Sequence, residues 1–122
     1  MKIYLPFDFP DNERNFMRRA GYAEFNDPNT GITSYTKRFS RDYYPRFHAY
    51  LNEESDLRKC INLHLDQKKP SYAGSSAHNA EYDGPVVEKE AARLSGLIKN
   101  QMDNHKQTSE TSKSWLAKLF GK

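Results

Sequence analysis

The chain has 122 residues, 36% of them hydrophobic, 13% aromatic and 29% charged, with a formal net charge of +3. That length suits one domain, and the aromatic content argues against full disorder. The near balance of 19 basic and 16 acidic residues permits nucleic-acid contact without demanding it, while a single cysteine, Cys60, excludes an internal disulfide and a zinc site built from several cysteines. No apolar run approaches the roughly 20 residues that span a bilayer. The N-terminus, MKIYLPFDFPDNE, has no signal-peptide core. The expectation is a soluble, cytoplasmic protein without a transmembrane segment.

Residues 1–10 alternate at Ile3, Leu5 and Phe7 and are punctuated by Pro6 and Pro10, which suits a short edge strand or a strap. Asp11 is a suitable N-cap for a short helix over Asn12–Ala20, with Phe16, Met17 and Ala20 as its apolar stripe and Gly21 as its stop. Arg14, Arg18 and Arg19 lie off that stripe. Tyr22–Asn26 and Ile32–Phe39 read as strands joined by the turn Asp27-Pro28-Asn29-Thr30-Gly31. A register closing that turn sets Phe25 opposite Thr33 and Ala23 opposite Tyr35. Ser34, Thr36 and Arg38 then fall on the other face.

The next two segments carry the strongest pattern. In Tyr44–Asn52, Phe47, Ala49 and Leu51 alternate with Arg46, His48 and Tyr50. In Leu57–Asp66, Leu57, Ile61, Leu63 and Leu65 lie on one side, and Arg58, Cys60, Asn62, His64 and Asp66 on the other. A period of two marks strands half-buried in a sheet. The pair reads as a hairpin with an apolar underside and a reactive top.

Gln67–Gly84 has no periodicity and reads as a long loop, a kind of segment that is usually functional or mobile. Pro85 opens a last helix whose stripe is Val87, Ala91, Leu94, Ile98 and Met102. Residues 103–113 are polar and read as a flexible linker. Residues 114–122 form a short amphipathic segment, with Trp115, Leu116, Leu119 and Phe120 placed to dock on a partner. The expected fold is α+β, one domain over residues 1–102. A four-stranded antiparallel meander carries both helices on one face. Its expected core is Phe16, Met17, Phe25, Tyr35, Phe39, Phe47, Leu51, Ile61, Leu63, Leu65, Val87, Ala91, Leu94 and Ile98.

Three chemistries fit the reactive face. The first is a metal centre at His64, Asp66 and His78, with His48 and Glu81 as further donors. His64 and Asp66 are about 6.6 Å apart along a strand, close enough to share an ion. His48 joins them only in some registers. With Leu51 facing Leu57, His48 lies opposite Cys60, a conceivable imidazole–thiol pair far from His64. With Glu53 facing Leu57, His48 lies opposite Asn62 and His64 becomes its diagonal neighbour. No cofactor is expected beyond zinc or another divalent ion there. The second is acid–base catalysis, since imidazoles titrate in the useful range and a carboxylate can orient them. No flanking sequence resembles a nucleophile elbow, so no catalytic residue is assigned. The third is binding through Arg46, His48, Tyr50, Arg58, Asn62 and His64. Arginines there meet phosphates or carboxylates, Tyr50 stacks on a base, and Asn62 and His64 hydrogen-bond.

The stretches Leu63-His64-Leu65-Asp66-Gln67-Lys68-Lys69-Pro70-Ser71-Tyr72 and His78-Asn79-Ala80-Glu81-Tyr82-Asp83-Gly84, followed by an acidic amphipathic helix, resemble a family of small uncharacterised bacterial proteins. The resemblance runs from about Phe16 to Leu94 and implies no activity, ligand or catalytic residue. From the residues alone, the favoured reading is a binding module. Its ligand is RNA, single-stranded nucleic acid or an acidic protein surface. The alternative is a small hydrolase, metal-dependent or of His/acid type, centred on His64, Asp66 and His78. Both stay open at this point.

Overall fold

In the computed structural model, which describes residues 1–67, 80–81 and 83–119, the two alternating runs form the central hairpin of an antiparallel sheet. Its strands are β4 (Arg46–Glu53) and β5 (Lys59–Asp66). β3 (Thr33–Arg38) pairs with β4, and β2 (Ala23–Asn26) with β3. These four strands make the expected meander, but the sheet is larger. β1 (Lys2–Tyr4) pairs with β5 along Cys60–Asn62, and β6 (Ala80–Glu81) pairs with it along Leu65 and Asp66. The order is β1-β5-β4-β3-β2, with β6 sharing the outer edge of β5. The N-terminal run joins the sheet because Ile3 and Leu5 enter the core while Lys2 and Tyr4 stay outside. The Met1 amine donates to the Leu63 carbonyl at 2.8 Å, and the Leu63 N–H donates back to the Met1 carbonyl at 2.8 Å.

The two helices are α1 (Glu13–Arg19) and α2 (Pro85–Leu119). The cap of α1 is Asn12, not Asp11: its side chain accepts the Asn15 N–H at 3.2 Å. Gly21 ends the helix at φ 98°. Its N–H donates to the Arg18 carbonyl and the Tyr22 N–H to the Met17 carbonyl, a Schellman closure that turns the chain into β2. Phe16 and Met17 of α1 and Val87, Ala91, Leu94 and Ile98 of α2 meet Tyr35, Phe47, Ala49, Ile61, Leu63 and Leu65 in one core. Both helices therefore cover the same sheet face, as the alternation implies. Among the described residues no helix is long and apolar enough to cross a membrane.

Two expected core residues lie elsewhere. The β2–β3 turn closes one residue wider than expected, with Asn26 opposite Thr33 and Phe25 opposite Ser34. A one-residue slip moves every side chain of a strand to the other face, so Phe25 lies on the polar side. Phe39 lies past the end of β3 and is 50% exposed, its ring resting on Phe47 at 4.8 Å.

A buried polar cluster ties α2 to the rest of the core. Glu90 is only 5% exposed. The Tyr22 hydroxyl donates to its Oε2 at 2.5 Å, and Arg93 donates to both oxygens at 2.7 and 2.8 Å. Arg93 also donates to the Ala20 carbonyl at 2.8 Å. Burial opposes the Glu90 charge, but bonds from Arg93 and Tyr22 outweigh it and hold the carboxyl below its ordinary range. Burial and the facing Glu90 carboxylate push the Tyr22 phenol well up. With the folded-state value depressed, the stability Glu90 supplies is full above the unfolded carboxyl value of about 4.3 and is lost as pH falls through the folded value. Glu90→Gln should therefore cost about 1.5–3 kcal/mol at neutral pH and less at an acid pH where the native carboxylate itself becomes protonated. Urea unfolding at both pH values tests this, and an equal cost at both would reject it.

The expected linker over 103–113 is helical, because α2 continues unbroken from Pro85 to Leu119. No proline or glycine interrupts the chain between Leu97 and Leu119, so nothing in the backbone stops propagation. The Thr108 hydroxyl donates to the Asn104 carbonyl one turn back at 2.9 Å. Trp115, Leu116 and Leu119 stay exposed on the last turns, and Phe120 lies outside the described residues.

Candidate metal and acid–base centre

The β4–β5 register decides which reactive side chains meet. Neither expected register occurs: Arg46 pairs with Asp66 and His48 with His64. The reason lies in the turn. Leu57 does not extend β5 but takes a left-handed conformation, φ 68°, with its N–H donating to the Glu54 carbonyl at 2.9 Å. It is 67% exposed, so it pins nothing to the apolar face. Removing Leu57 from the strand lengthens the loop and shifts the hairpin to the register that sets the two histidines side by side. The parity is unchanged, so the apolar set Phe47, Ala49, Leu51, Ile61, Leu63 and Leu65 still shares one face.

The opposite face carries a polar cluster centred on Asp66, which is 3% exposed. His48 Nδ1 donates to Asp66 Oδ2 at 2.9 Å, and Arg46 Nε donates to the same oxygen at 3.2 Å. His64 Nε2 donates to Oδ1 at 2.7 Å. The far nitrogen of His48, Nε2, lies 2.7 Å from Ser34 Oγ. A carboxylate only accepts, so in this arrangement His48 carries its proton on Nδ1 and Nε2 accepts from Ser34 when the ring is neutral. Arg46, His48 and His64 are each 6% exposed. Burial pushes the Asp66 carboxyl upward, but bonds from His48 and His64 prevail and hold it far below the ordinary carboxylate range. Arg46 offsets the buried negative charge.

Aromatic rings surround this cluster. The Tyr50 ring lies 4.6 Å from His48 and 5.9 Å from His64. The Arg46 guanidinium lies over Tyr43 at 4.3 Å, Tyr44 at 5.1 Å and Phe25 at 5.6 Å. Arg38 also lies over Tyr43, at 4.9 Å. Beside these groups runs a groove of about 430 Å³, lined by Phe25, Thr36, Arg38, Tyr43 and Arg46 among others.

Of the expected site residues, Arg46, His48, Tyr50 and His64 come together, and Asn62 stands opposite Tyr50 on the same face. Arg58 does not join them. It sits in the β4–β5 turn, its Nε donating to Asp56 at 2.7 Å and its guanidinium lying 4.3 Å over the Tyr4 ring. Cys60 lies opposite Asn52 rather than His48, and burial raises its thiol above the ordinary value. The imidazole–thiol pair therefore does not form. Of the expected metal donors, His64 and Asp66 converge, while His78 and the Glu81 side chain lie outside the described residues. Ser34 and Tyr43 went unassigned in the sequence. Ser34 shares the polar face by alternation, but its bond to His48 requires the β3–β4 register, in which Thr36 opposes His48.

The donor atoms of His48, His64 and Asp66 lie within 4.8 Å of one another, close enough to hold one ion. Tetrahedral ligands at about 2.0–2.2 Å from zinc are about 3.3–3.6 Å from each other, a spacing that lies between the 2.7–2.9 Å His–Asp contacts and the 4.8 Å span of the set. In comparisons with known proteins, no family model, curated protein or solved structure matches the chain.

Proposed function

We propose that the protein is a small metal-dependent hydrolase in which His48, His64 and Asp66 hold a zinc-class divalent ion. The observation that carries this is the convergence of two buried imidazoles on one buried carboxylate. Two nitrogens and one oxygen are the donor set of a catalytic rather than a structural zinc site. Three protein ligands leave a position for water, whose proton the ion makes easier to lose. The surroundings support the reading. With His48 binding through Nδ1, its Nε2–H donates to Ser34, and Arg46 braces the Asp66 carboxylate, as outer partners do in metal sites. Purification without chelator followed by metal analysis should return stoichiometric ion, with His64→Ala metal-free. Ser34→Ala should weaken zinc affinity by about 10–100-fold through loss of the outer bond. Unchanged zinc titration in both variants would reject the site.

A second reading has its own support. Arg38, Arg46, Tyr43 and Phe25 combine cations and ring faces along the groove beside the cluster, a combination that suits single-stranded nucleic acid or an acidic protein surface. Tyr43→Ala should weaken binding of a labelled single-stranded RNA by about 1–3 kcal/mol. Wild-type protein that leaves the RNA unshifted at low salt would remove this reading.

A further inference from the structure

We infer that the groove between the β3–β4 end of the sheet and the first turns of α2 is a docking site for an acidic, amphipathic segment of a partner protein. This surface opens on the helix side of the sheet, shares Lys37 and Arg38 with the groove on the polar face, and includes none of the proposed metal donors.

The groove follows from how the helices are placed. α1 packs beside β2, and α2 lies over β5 and β1. The stretch of helix-facing sheet around Phe47 and Lys37, paired across β3 and β4, is left at the edge of that cover. The result is a concavity of about 1060 Å³, lined by apolar Phe39, Phe47, Pro85 and Val86 and by the cations Lys37, Arg38, Lys89 and Arg93. Phe39 and Val86 are among the large apolar residues left exposed. Phe39 follows β3 and Val86 lies in the first turn of α2.

The charge around this floor selects the occupant. Glu90 is the one acidic side chain among the lining residues, and Arg93 and Tyr22 already hold it. Among the described residues, no ion pair reaches Lys37, Arg38 or Lys89. The N-terminus of α2 adds a partial positive charge, offset in part by exposed Glu88 in its first turn, so Lys37, Arg38 and Lys89 carry the selection. A segment carrying carboxylates around a bulky apolar anchor satisfies both demands: the anchor covers Phe39 and Val86, and the carboxylates meet the cations. The tip of α2 from a second copy is a poorer occupant, because Lys113 and Lys118 flank its exposed Trp115 and Leu116 and would set cation against cation. The groove is also open along its length, which suits a chain segment better than a small molecule that needs enclosure.

The test is fluorescence polarisation with labelled acidic peptides whose apolar anchor is Leu, Phe or Trp. The same peptides with lysines in place of the acids, or alanine in place of the anchor, serve as comparators. Val86→Asp and Lys89→Glu alter exposed groove residues, and circular dichroism checks that both variants fold. The expected result is salt-sensitive binding of an acidic, anchored peptide, weakened about tenfold or more by either variant and unchanged by His64→Ala. Equal binding of the lysine peptides, or of the acidic peptides to both variants, would overturn the proposal. So would no peptide binding alongside groove-dependent binding to phosphatidylglycerol vesicles, which would assign the surface to a membrane instead. Insensitivity to His64→Ala separates a failure here from a failure of the metal centre.

Discussion

Asp66→Ala should destabilise the metal-free protein by about 3–5 kcal/mol, among the largest single effects in the chain. The carboxylate accepts from Arg46, His48 and His64 at once, and all four side chains are buried. Its removal leaves a buried guanidinium without its counter-charge. Domains of this size have only about 5–15 kcal/mol in total, so the variant should melt far below wild type. The paired replacement Arg46→Met with Asp66→Leu should recover much of the loss, because neither charge then remains to be buried. Urea unfolding in chelator measures both. A double variant as unstable as the single one would show that the bonds lost by buried His48 and His64, not the stranded cation, carry the cost. Because Asp66 is held below its unfolded value, its contribution is complete above about pH 4 and fades as pH falls through the folded value.

Leu63→Ala should cost about 2–5 kcal/mol. Leu63 is fully buried on β5, the strand that pairs with β4 on one edge and with β1 and β6 on the other. Its backbone is held to Met1 on one side and faces Ala49 on the other. The site therefore has little freedom to collapse around a cavity. Leu57→Ala, in the exposed turn of the same hairpin, should change stability by no more than about 0.5 kcal/mol. Comparable losses at both positions would mean that the alternation does not report burial on this hairpin.

Much of the architecture can be read from period two alone. The alternation across Phe47, Ala49, Leu51, Ile61, Leu63 and Leu65 marks the face that packs, and the contact between His64 and Asp66 follows from their spacing two apart on one strand. What alternation leaves open is where each strand slides against its neighbour. That depends on turns, and both turns hid a residue that looked like strand. Leu57 is apolar yet adopts a left-handed turn conformation, and Ile32 is apolar yet lies exposed in the turn before β3, so that Thr33 faces Asn26 rather than Phe25. Each slip is small in sequence and decisive in space: one brings His48 beside His64, and the other carries Phe25 across the sheet to Arg46. Residues 103–113 depart from the expected linker for a different reason. Their polarity signals the absence of a buried face, which is not the absence of helix once a packed segment has nucleated it.

The long α2 helix gives the molecule a reach that its sheet does not have. At 1.5 Å per residue its 35 residues span about 52 Å, and from Asp103 onward its described side chains face solvent. A tether would let Trp115 sample a broad sphere around the domain. A rod instead fixes its bearing and its stand-off distance. Whatever grips that tip is thereby presented to the rest of the protein at a set separation, and shortening the rod by a few residues would rotate the grip as well as draw it in.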